Sequence, residues 1–309
     1  MKQVAPNRPT GFEGWLARFP FNADLVLLLV CVIWGTTFVV VKVGVANTPP
    51  FNFVALRFAA ASAVFLLLGL PGLGGMSWRE VLRGVFMGLL LLGGYTTQTV
   101  GLSLTTASKA GFITGLSVVL VPLLARFGLG HRVGWGVGTG IGLATAGLAL
   151  LSLTAELRPE PGDLWVLACA FAFAGHILAV AELSRGCDTF RLALVQTAVV
   201  ALGGVLLAFC FEGGLRIPAG SGLPAAIYTG VLGTGLVLGL QIPAQRYTSP
   251  SHAALIFSAE PAFAALFAAG LLGERLGPKE LAGAGLILAG MLLAELRRPQ
   301  EKRRLKDAD

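Results

Sequence analysis

Long apolar stretches separated by short polar linkers run along nearly the whole chain. Each stretch approaches the roughly 20 residues that cross a ~30 Å hydrocarbon layer as a helix. The linkers carry helix breakers such as Pro49-Pro50 and Pro71-Gly72. The pattern predicts an all-α integral membrane protein with ten transmembrane helices. The predicted spans are residues 23–45, 52–70, 81–101, 107–127, 133–153, 163–183, 190–211, 222–243, 250–272 and 277–296.

The middle of the chain recurs 143 positions later without a gap. Residues 108–150 and 251–293 are identical at 15 of 43 aligned positions, where shared composition alone gives roughly one match in ten. Gln98 near the end of span three aligns with Gln241 near the end of span eight, and span one resembles span six at an offset of 139. The chain therefore contains two copies of a five-helix unit.

The odd number of helices in each copy sets their relative orientation. A second copy that follows five spans must enter the membrane upside down, so we expect inverted repeats around a central cavity. The predicted organisation is a cytoplasmic N-terminal segment at 1–22, a first repeat at 23–153, a second repeat at 154–296 and a basic cytoplasmic tail at 297–309.

Composition agrees with a membrane location, and the basic residues give the orientation. The chain is 55% hydrophobic and 13% charged, with a mean hydropathy of +0.78, whereas a soluble domain is about 25% charged. If the N-terminus is inside, cytoplasmic segments hold 16 of the 23 Lys and Arg residues, and outer segments hold seven. We therefore expect a multi-pass protein of the cell's inner (plasma) membrane with both termini cytoplasmic.

The sequence has no motif for catalysis, metal binding or nucleotide binding. The four Cys residues are scattered without metal-ligand spacing, and G-x-S-x-G, H-E-x-x-H and P-loop motifs are absent. The basic tail is interpreted as a membrane anchor rather than a nucleic-acid site. We expect no enzyme activity, no catalytic residue, no metal, no cofactor and no nucleic-acid partner. The sequence sets no oligomeric state.

Several motifs resemble those of one transporter family. They are W-G-x-x-F-x-x-x-K at 34–42, L-R-F at 56–58, T-x-A-S-x-A at 105–110, S-x-E-P-x-x-A at 258–264 and L-L-G-E-R-L at 271–276. With these motifs, residues 23–296 resemble the EamA-domain branch of the drug/metabolite transporter superfamily. The resemblance implies ten helices around a central cavity and transport of small metabolites.

The resemblance also suggests a substrate class. YddG-type aromatic amino-acid exporters belong to this family, as do sugar and purine carriers. We expect a secondary transporter that exports aromatic or neutral amino acids or related toxic analogues, with the lipid bilayer and a small-molecule substrate as its partners. A carrier of a sugar, a nucleobase or a lipid-linked group stays open, as do a passive pore and an intramembrane transferase.

Glu260 is the candidate site residue with the clearest chemical argument. It lies about midway along span nine, where a carboxylate costs several kcal/mol unless it is paired, protonated or hydrated. Three roles are open: binding a substrate amine, carrying a proton, or hydrogen bonding at a kink made by Pro261. Its equivalent in the first repeat is Ser117, so the repeat does not require a charge here.

The other polar candidates are His176, Gln98, Gln241, Thr114 and Ser117. His176 is expected either to titrate or hydrogen-bond substrate, or to pack between helices. The glutamines need a polar partner in hydrocarbon, which is either a cavity or a neighbouring helix. The same two alternatives apply to the hydroxyl groups.

Four aromatic residues are candidates for cavity walls: Trp34, Phe38, Tyr95 and Trp165. Core packing or lipid contact is the alternative for such side chains.

Three basic residues, Lys42, Arg57 and Lys109, lie within reach of the outer membrane interface in the predicted topology. Long basic side chains extend to such an interface, so we interpret all three as anchors. Tertiary pairing or contact with an anionic substrate group is the alternative.

Overall fold

The computed structural model describes residues 20–46, 48–69, 75–105, 107–130, 133–152, 160–218, 220–272 and 277–306, and these residues are helical with no strand among them. The helices are α1 (Pro20–Val45), α2 (Pro50–Gly69), α3 (Trp78–Leu104), α4 (Ala107–Gly115), α5 (Ser117–Leu129), α6 (Trp135–Ser152), α7 (Pro161–Leu183), α8 (Thr189–Phe211), α9 (Gly222–Gly230), α10 (Val237–Gln245), α11 (Pro250–Phe257), α12 (Glu260–Leu272) and α13 (Pro278–Lys306). A π-helical segment, Val231–Leu236, joins α9 to α10.

Spans four and nine are each interrupted, which the apolar pattern did not predict. Span four divides into α4 and α5 at Leu116, and span nine divides into α11 and α12 at Ser258 and Ala259. Leu116 and Ala259 are equivalent positions at the 143-residue offset. In span nine the cause is Pro261, whose ring prevents the α-helical bond to the carbonyl of Phe257, where α11 ends.

Six of the described helical segments are long and apolar enough to cross a membrane: Asn22–Val45, Pro50–Leu68, Trp78–Leu104, Pro161–Leu183, Thr189–Phe211 and Gly222–Gln245. Shorter apolar helices cover Ile113–Leu129, Trp135–Leu150 and Leu281–Ala294. The prediction of ten spans therefore depends on the shorter and interrupted helices. Residues 1–19 of the predicted N-terminal segment and the side chains of the basic tail at 297–306 lie outside the described part of the chain.

Local signals explain where several helices begin. Ser77 and Glu80 form a capping box at the start of α3, because Ser77 Oγ accepts from the Glu80 amide at 3.2 Å and Glu80 Oε2 accepts from the Ser77 amide at 2.8 Å. Asp188 caps α8 by accepting from two backbone amides. Pro161 occupies the first turn of α7, where its missing N–H is not needed.

Equivalent helices of the two repeats pack against each other in antiparallel pairs. A Cβ added to Gly140 of α6 would lie 2.6 Å from the carbonyl oxygen of Gly290 of α13, and one added to Gly147 would lie 2.5 Å from that of Gly283. Gly140 aligns with Gly283 and Gly147 with Gly290, both 143 apart. Each glycine therefore contacts the equivalent of the other, which is the contact pattern of a two-fold axis.

The second helices of the repeats, α2 and α8, show the same arrangement. At the start of α2, the Phe51 and Asn52 amides donate to Glu212, which directly follows α8, at 2.8 and 2.9 Å. Near the other end of α2, Phe65 packs on Phe190 at the start of α8, with ring centroids 5.0 Å apart. These contacts require α2 and α8 to run in opposite directions.

Candidate functional site

A cavity of about 80 Å³ lies between the two repeats, several times the volume that one water molecule needs. Its walls come from α1, α2, α3, α7 and α10 together with the interrupted helices of spans four and nine. Eight of the ten predicted site residues line it: Trp34, Tyr95, Gln98, Thr114, Ser117, His176, Gln241 and Glu260. Their role in substrate binding stays a prediction.

The cavity lies beside the second half of α1, from Trp34 to Val41. The first half of α1 is instead packed into a buried apolar cluster with α11, which contributes Ala253 and Ile256. At the edge of this cluster, His252 Nε2 lies 3.4 Å from Asp24 Oδ2, and both residues are almost fully buried. The first half of α1 therefore contacts packed side chains, whereas its second half contributes to the cavity wall.

The other two predicted site residues, Trp165 and Phe38, are not among the residues that line the cavity. Trp165 on α7 is 46% exposed and does not line the cavity. Its neighbour Val166 faces α3, where a Cβ on Gly101 would lie 2.4 Å from Val166 Cγ2, so Trp165 is turned outward. Phe38 lies on α1, but its side chain lies outside the described part of the structure.

Glu260 is the first residue of α12, at the interruption of span nine. Its carboxylate lines the cavity and forms no hydrogen bond or ion pair with a described residue. The free backbone N–H groups of the first helical turn and the positive end of the helix dipole favour a negative charge at this position. The interruption thus places a carboxylate on the cavity wall where the fold tolerates it.

Arg57 is a cavity residue that the sequence analysis interpreted as an interface anchor, and that interpretation is wrong. The side chain is 5% exposed and lines the cavity from α2. Its Nε donates to Thr234 Oγ1 at 2.8 Å, and its Nη2 donates to the Gly233 carbonyl at 3.4 Å. Its guanidinium carbon lies 4.6 Å from the centroid of the Tyr95 ring, a cation–π distance.

The signal that could have identified Arg57 is its depth. The helix begins at Pro50, so residue 57 lies about 10 Å along the axis at 1.5 Å per residue. That depth exceeds what an interface position requires. Of the other two predicted anchors, Lys42 is exposed, and the side chain of Lys109 lies outside the described part.

The π-helical segment supplies the polar groups that hold Arg57. The Gly233 carbonyl accepts from the Trp34 indole Nε1 at 3.0 Å as well as from Arg57. A Cβ at Gly233 would lie 2.5 Å from Thr37 Cγ2, so only glycine allows this close approach to α1. A π turn inside a helix often accompanies a functional site, and the apolar pattern of span eight gave no indication of one.

His176 is tied to α8 and is 2% exposed. Its Nε2 donates to Gln196 Oε1 at 2.7 Å, and Gln196 Nε2 donates to the Leu192 carbonyl at 3.1 Å. His176 therefore packs against α8 and also lines the cavity, so both alternatives for it stay open. The pair forms a neutral polar wall.

The equivalent glutamines, Gln98 and Gln241, both line the cavity. Gln241 is 2% exposed, and its Nε2 donates to Gln245 Oε1 at 3.1 Å. Among the described residues, Gln241 Oε1 has no hydrogen-bond partner. A ligand or water donor in the cavity can therefore satisfy this oxygen.

Aromatic rings form the apolar part of the walls. Trp34 packs on Phe257 with centroids 5.4 Å apart, and Tyr95 packs on Phe173 with centroids 5.2 Å apart. Such tilted and edge-on arrangements are the favourable ones for aromatic pairs. Among the described residues, the cavity lining therefore combines aromatic surface with the Arg57 guanidinium, the Glu260 carboxylate and several neutral polar groups.

These groups offer a small molecule charge, hydrogen bonds and aromatic surface. No cluster of three metal-ligating side chains occurs in the described residues. His176 is bonded to an amide rather than to a nucleophile or an acid. A small molecule can be held by charge and aromatic contacts here without a covalent step.

Comparison with known proteins identifies the fold and its relatives. The model of the EamA-like transporter family matches residues 21–153 and again residues 160–296. A solved crystal structure superposes with a TM-score of 0.75 at 23% identity, covering 89% of this chain and 98% of the other. That likeness concerns the fold.

Three relatives cover most of the chain. An "Uncharacterized transporter" of Archaeoglobus fulgidus is 35% identical over 89% of this chain and 86% of its own length. The "Uncharacterized inner membrane transporter YedA" of Escherichia coli is 27% identical over 87% of this chain and 89% of its own length. A "Probable amino-acid metabolite efflux pump" of Salmonella typhimurium is 30% identical over 86% of this chain and 92% of its own length.

Proposed function

Because the chain belongs to the EamA-like transporter family, we propose that it is a secondary carrier that exports aromatic or neutral amino acids, or related toxic analogues, across the inner membrane. The relative named for amino-acid metabolite efflux supports the substrate class. The relative named as an inner membrane transporter supports the location. The relatives' names also support a role other than that of an enzyme.

The observation that carries this proposal is Glu260, which lines an aromatic-walled cavity and forms no hydrogen bond or ion pair with a described residue. A carboxylate in such surroundings gains much from an ammonium ligand, because a charge-assisted hydrogen bond is stronger where water is scarce. The aromatic rings of Trp34, Tyr95 and Phe173 offer surface to an apolar side chain. A neutral amino acid has both parts.

The proposal includes ten membrane-spanning helices in two inverted five-helix repeats, with both termini cytoplasmic. The antiparallel glycine contacts of α6 and α13 are those that inverted repeats require. The 16-to-7 distribution of Lys and Arg supports the orientation. A reporter fused after Asp309 tests it, since activity only on the outer side would overturn the topology.

Counterflow in proteoliposomes tests the function. The purified protein is reconstituted, loaded with unlabelled alanine, leucine, phenylalanine, glucose or adenine, and assayed for uptake of the same labelled compound with and without a pH gradient. We expect saturable counterflow for neutral amino acids without added nucleotide. Glucose or adenine flux in place of amino-acid flux would contradict the substrate class, and non-saturable flux would indicate a pore.

The Glu260→Gln variant tests the role of the carboxylate. The change keeps the shape but removes the charge, so we expect the affinity for amino acids to fall by about 10- to 100-fold. Glu182→Gln is the matched control, because Glu182 lies at the end of α7 outside the cavity lining. Loss of pH-gradient coupling with unchanged counterflow would assign proton transfer to Glu260. Unchanged affinity and coupling in a well-folded variant would leave it only a structural role.

A further inference from the structure

Arg57 brings a positive charge into the cavity and keeps part of its hydrogen-bonding capacity unused. A guanidinium has five N–H groups. Here Nε and Nη2 donate to Thr234 Oγ1 and the Gly233 carbonyl, which fixes the plane of the group. The remaining N–H groups have no hydrogen-bond partner among the described residues. The guanidinium is therefore oriented and still able to donate.

Arg57 also forms no ion pair with another side chain in the described part of the structure. The side chain is 5% exposed, and a buried charge is costly unless it is paired. Glu260 interacts with Arg57 electrostatically, but the two side chains form no ion pair. The Tyr95 ring, 4.6 Å from the guanidinium carbon, compensates only in part. A negatively charged ligand group would supply what the protein does not.

We infer that Arg57 binds the α-carboxylate of the substrate, and that the cavity selects molecules that carry both a free carboxylate and an ammonium group. The inference rests on the proposed function and narrows its substrate class to zwitterions. Arg57 holds the carboxylate with its free N–H groups, and Glu260 holds the ammonium group. Arginine is suited to this role, because its planar fork matches the geometry of a carboxylate.

The repeat shows that this pair of charges is confined to one side of the site. At the 139-residue offset of spans one and six, Arg57 aligns with Gln196, and at the 143-residue offset Glu260 aligns with Ser117. We call Arg57 and Glu260 the charged side, and Gln196 with His176 and Ser117 the neutral side. Two-fold symmetry makes these positions equivalent, yet of the four residues compared only Arg57 and Glu260 carry charge. The zwitterionic end of the substrate therefore has one place to bind, and its side chain points toward the neutral side.

A purely structural role for Arg57 makes a different prediction. If the guanidinium serves only to join α2 to the π-helical segment, its loss should weaken every ligand alike and lower the thermal stability. If it binds carboxylate, its loss should weaken only ligands that have one. Selectivity between matched ligands thus separates the two roles.

The experiment measures competition in counterflow between one amino acid and two derivatives that keep its ammonium group but lack its carboxylate. Labelled phenylalanine is exchanged against unlabelled phenylalanine, phenylalanine methyl ester or phenethylamine, which share the ring and the amine. In the wild-type protein we expect phenylalanine to compete about 10- to 100-fold better than the ester or the amine. Arg57→Gln should remove this preference while leaving competition by phenethylamine within about twofold.

One further variant, one control variant and a binding assay keep the test independent of misfolding. Thr234→Val keeps the side-chain shape but removes the acceptor of Arg57 Nε, so it should reduce the preference for phenylalanine to a lesser degree. Arg126→Gln, which removes an exposed charge on α5 outside the cavity, should change nothing. Each purified variant is also tested for thermal stabilisation by 10 mM phenylalanine and by 10 mM phenethylamine, because ligands that bind the native state raise Tm.

The outcomes separate the inference from the proposed function. A preserved preference for phenylalanine in Arg57→Gln, or an equal loss for all three ligands, would overturn the inference and leave amino-acid transport standing. If wild-type counterflow does not discriminate between phenylalanine and its methyl ester, the inference also fails while amino-acid transport stands. If the wild-type protein neither exchanges any amino acid nor is stabilised by one, the proposed function fails, and the inference fails with it.

Discussion

Arg57, Ser117 and Glu260 line the cavity, whereas Gln196, the equivalent of Arg57 in the second repeat, is bonded to the cavity residue His176. The contacts between helices do not show this contrast. Gly140 and Gly147 pair with Gly290 and Gly283 in a pattern that is the same from either repeat. The interruptions of spans four and nine also fall at equivalent residues. The helix packing is therefore similar in the two repeats, whereas the charged residues of the site occur at only one of each pair of equivalent positions.

The difference between the symmetric helix packing and the asymmetric site has a physical origin. A helix crossing needs small residues on both partners, so a change on one side of the two-fold axis costs packing on the other. A cavity wall faces ligand and water, so a residue there can change without disturbing its equivalent. A substrate with unlike ends is best bound by unlike walls, whereas a symmetric cavity would hold it equally well in two opposed orientations.

The largest expected effect comes from disrupting the symmetric glycine crossing of α6 and α13. Gly140→Val would place a Cβ 2.6 Å from the Gly290 carbonyl oxygen, and a backbone atom cannot move aside as a flexible side chain can. We expect a fall in Tm of about 10 °C, or loss of the monodisperse species in size-exclusion chromatography. Gly142→Val on the same helix is the control, because nothing lies within 4 Å of its Cβ position. Equal behaviour of the two variants would argue against the close crossing.

The second-largest effect is expected when Glu260 is replaced by serine, the residue that the first repeat has at the equivalent position, Ser117. Glu260→Ser removes the negative charge of the charged side, so we expect the affinity for a neutral amino acid to fall by about 10- to 100-fold in counterflow. In Ser117→Glu/Glu260→Ser the carboxylate moves to the neutral side, where Arg57 has no equivalent. We expect the double variant to stay as weak as the single one, and recovery of affinity would show that the position of the charge does not matter.

A smaller effect is expected from the aromatic residues, and it compares a residue in the cavity with one outside it. Trp34→Leu removes a ring from the cavity wall and the indole bond to Gly233. We expect about a 10-fold loss of affinity for phenylalanine, in line with about 1–3 kcal/mol for a lost aromatic contact and hydrogen bond. Trp165→Leu should alter counterflow less than about twofold, because the side chain faces outward. A strong effect of Trp165→Leu would place it in the transport path after all.

The smallest effect on transport is expected at the neutral side. His176→Leu leaves the Gln196 side chain without its partner in a buried position, which costs about 1–3 kcal/mol of stability. We expect a lower Tm with the preference for phenylalanine over its methyl ester unchanged. Loss of that preference in a folded His176→Leu protein would extend the recognition of the carboxylate to the neutral side.

Much of the helix layout could be predicted from the sequence, since an apolar run of about 20 residues has few alternatives in a bilayer. Of the two interruptions, Pro261 signals the one in span nine, but nothing as strong marks Leu116 in span four. The π-helical segment at Val231–Leu236 leaves no trace in an apolar pattern, because its residues other than Thr234 are apolar or glycine. Such changes of helix type depend on contacts with other helices, which one sequence does not display.

The site residues also divide into those that the sequence indicated and those that it did not. Glu260 stood out because its charge is exceptional at mid-span, and the structure does bring it to the cavity. Arg57 was misjudged because a basic residue near a helix end is usually an interface anchor. For Trp165 the sequence left a cavity wall and lipid contact both open, because the apolar residues of α7 are not confined to one face. The orientation of a uniformly apolar helix is set by its neighbours.

The glycine crossing of α6 and α13 also governs the order in which the protein can be completed during its synthesis. Helix α6 is finished at residue 152, but the backbone it must touch is not made until residues 283 and 290 leave the ribosome. Through the synthesis of more than a hundred residues, the nascent first repeat exposes a glycine face to lipid. Completion of this crossing is thus among the last events of assembly, and a chain truncated before α13 lacks the partner that covers that face.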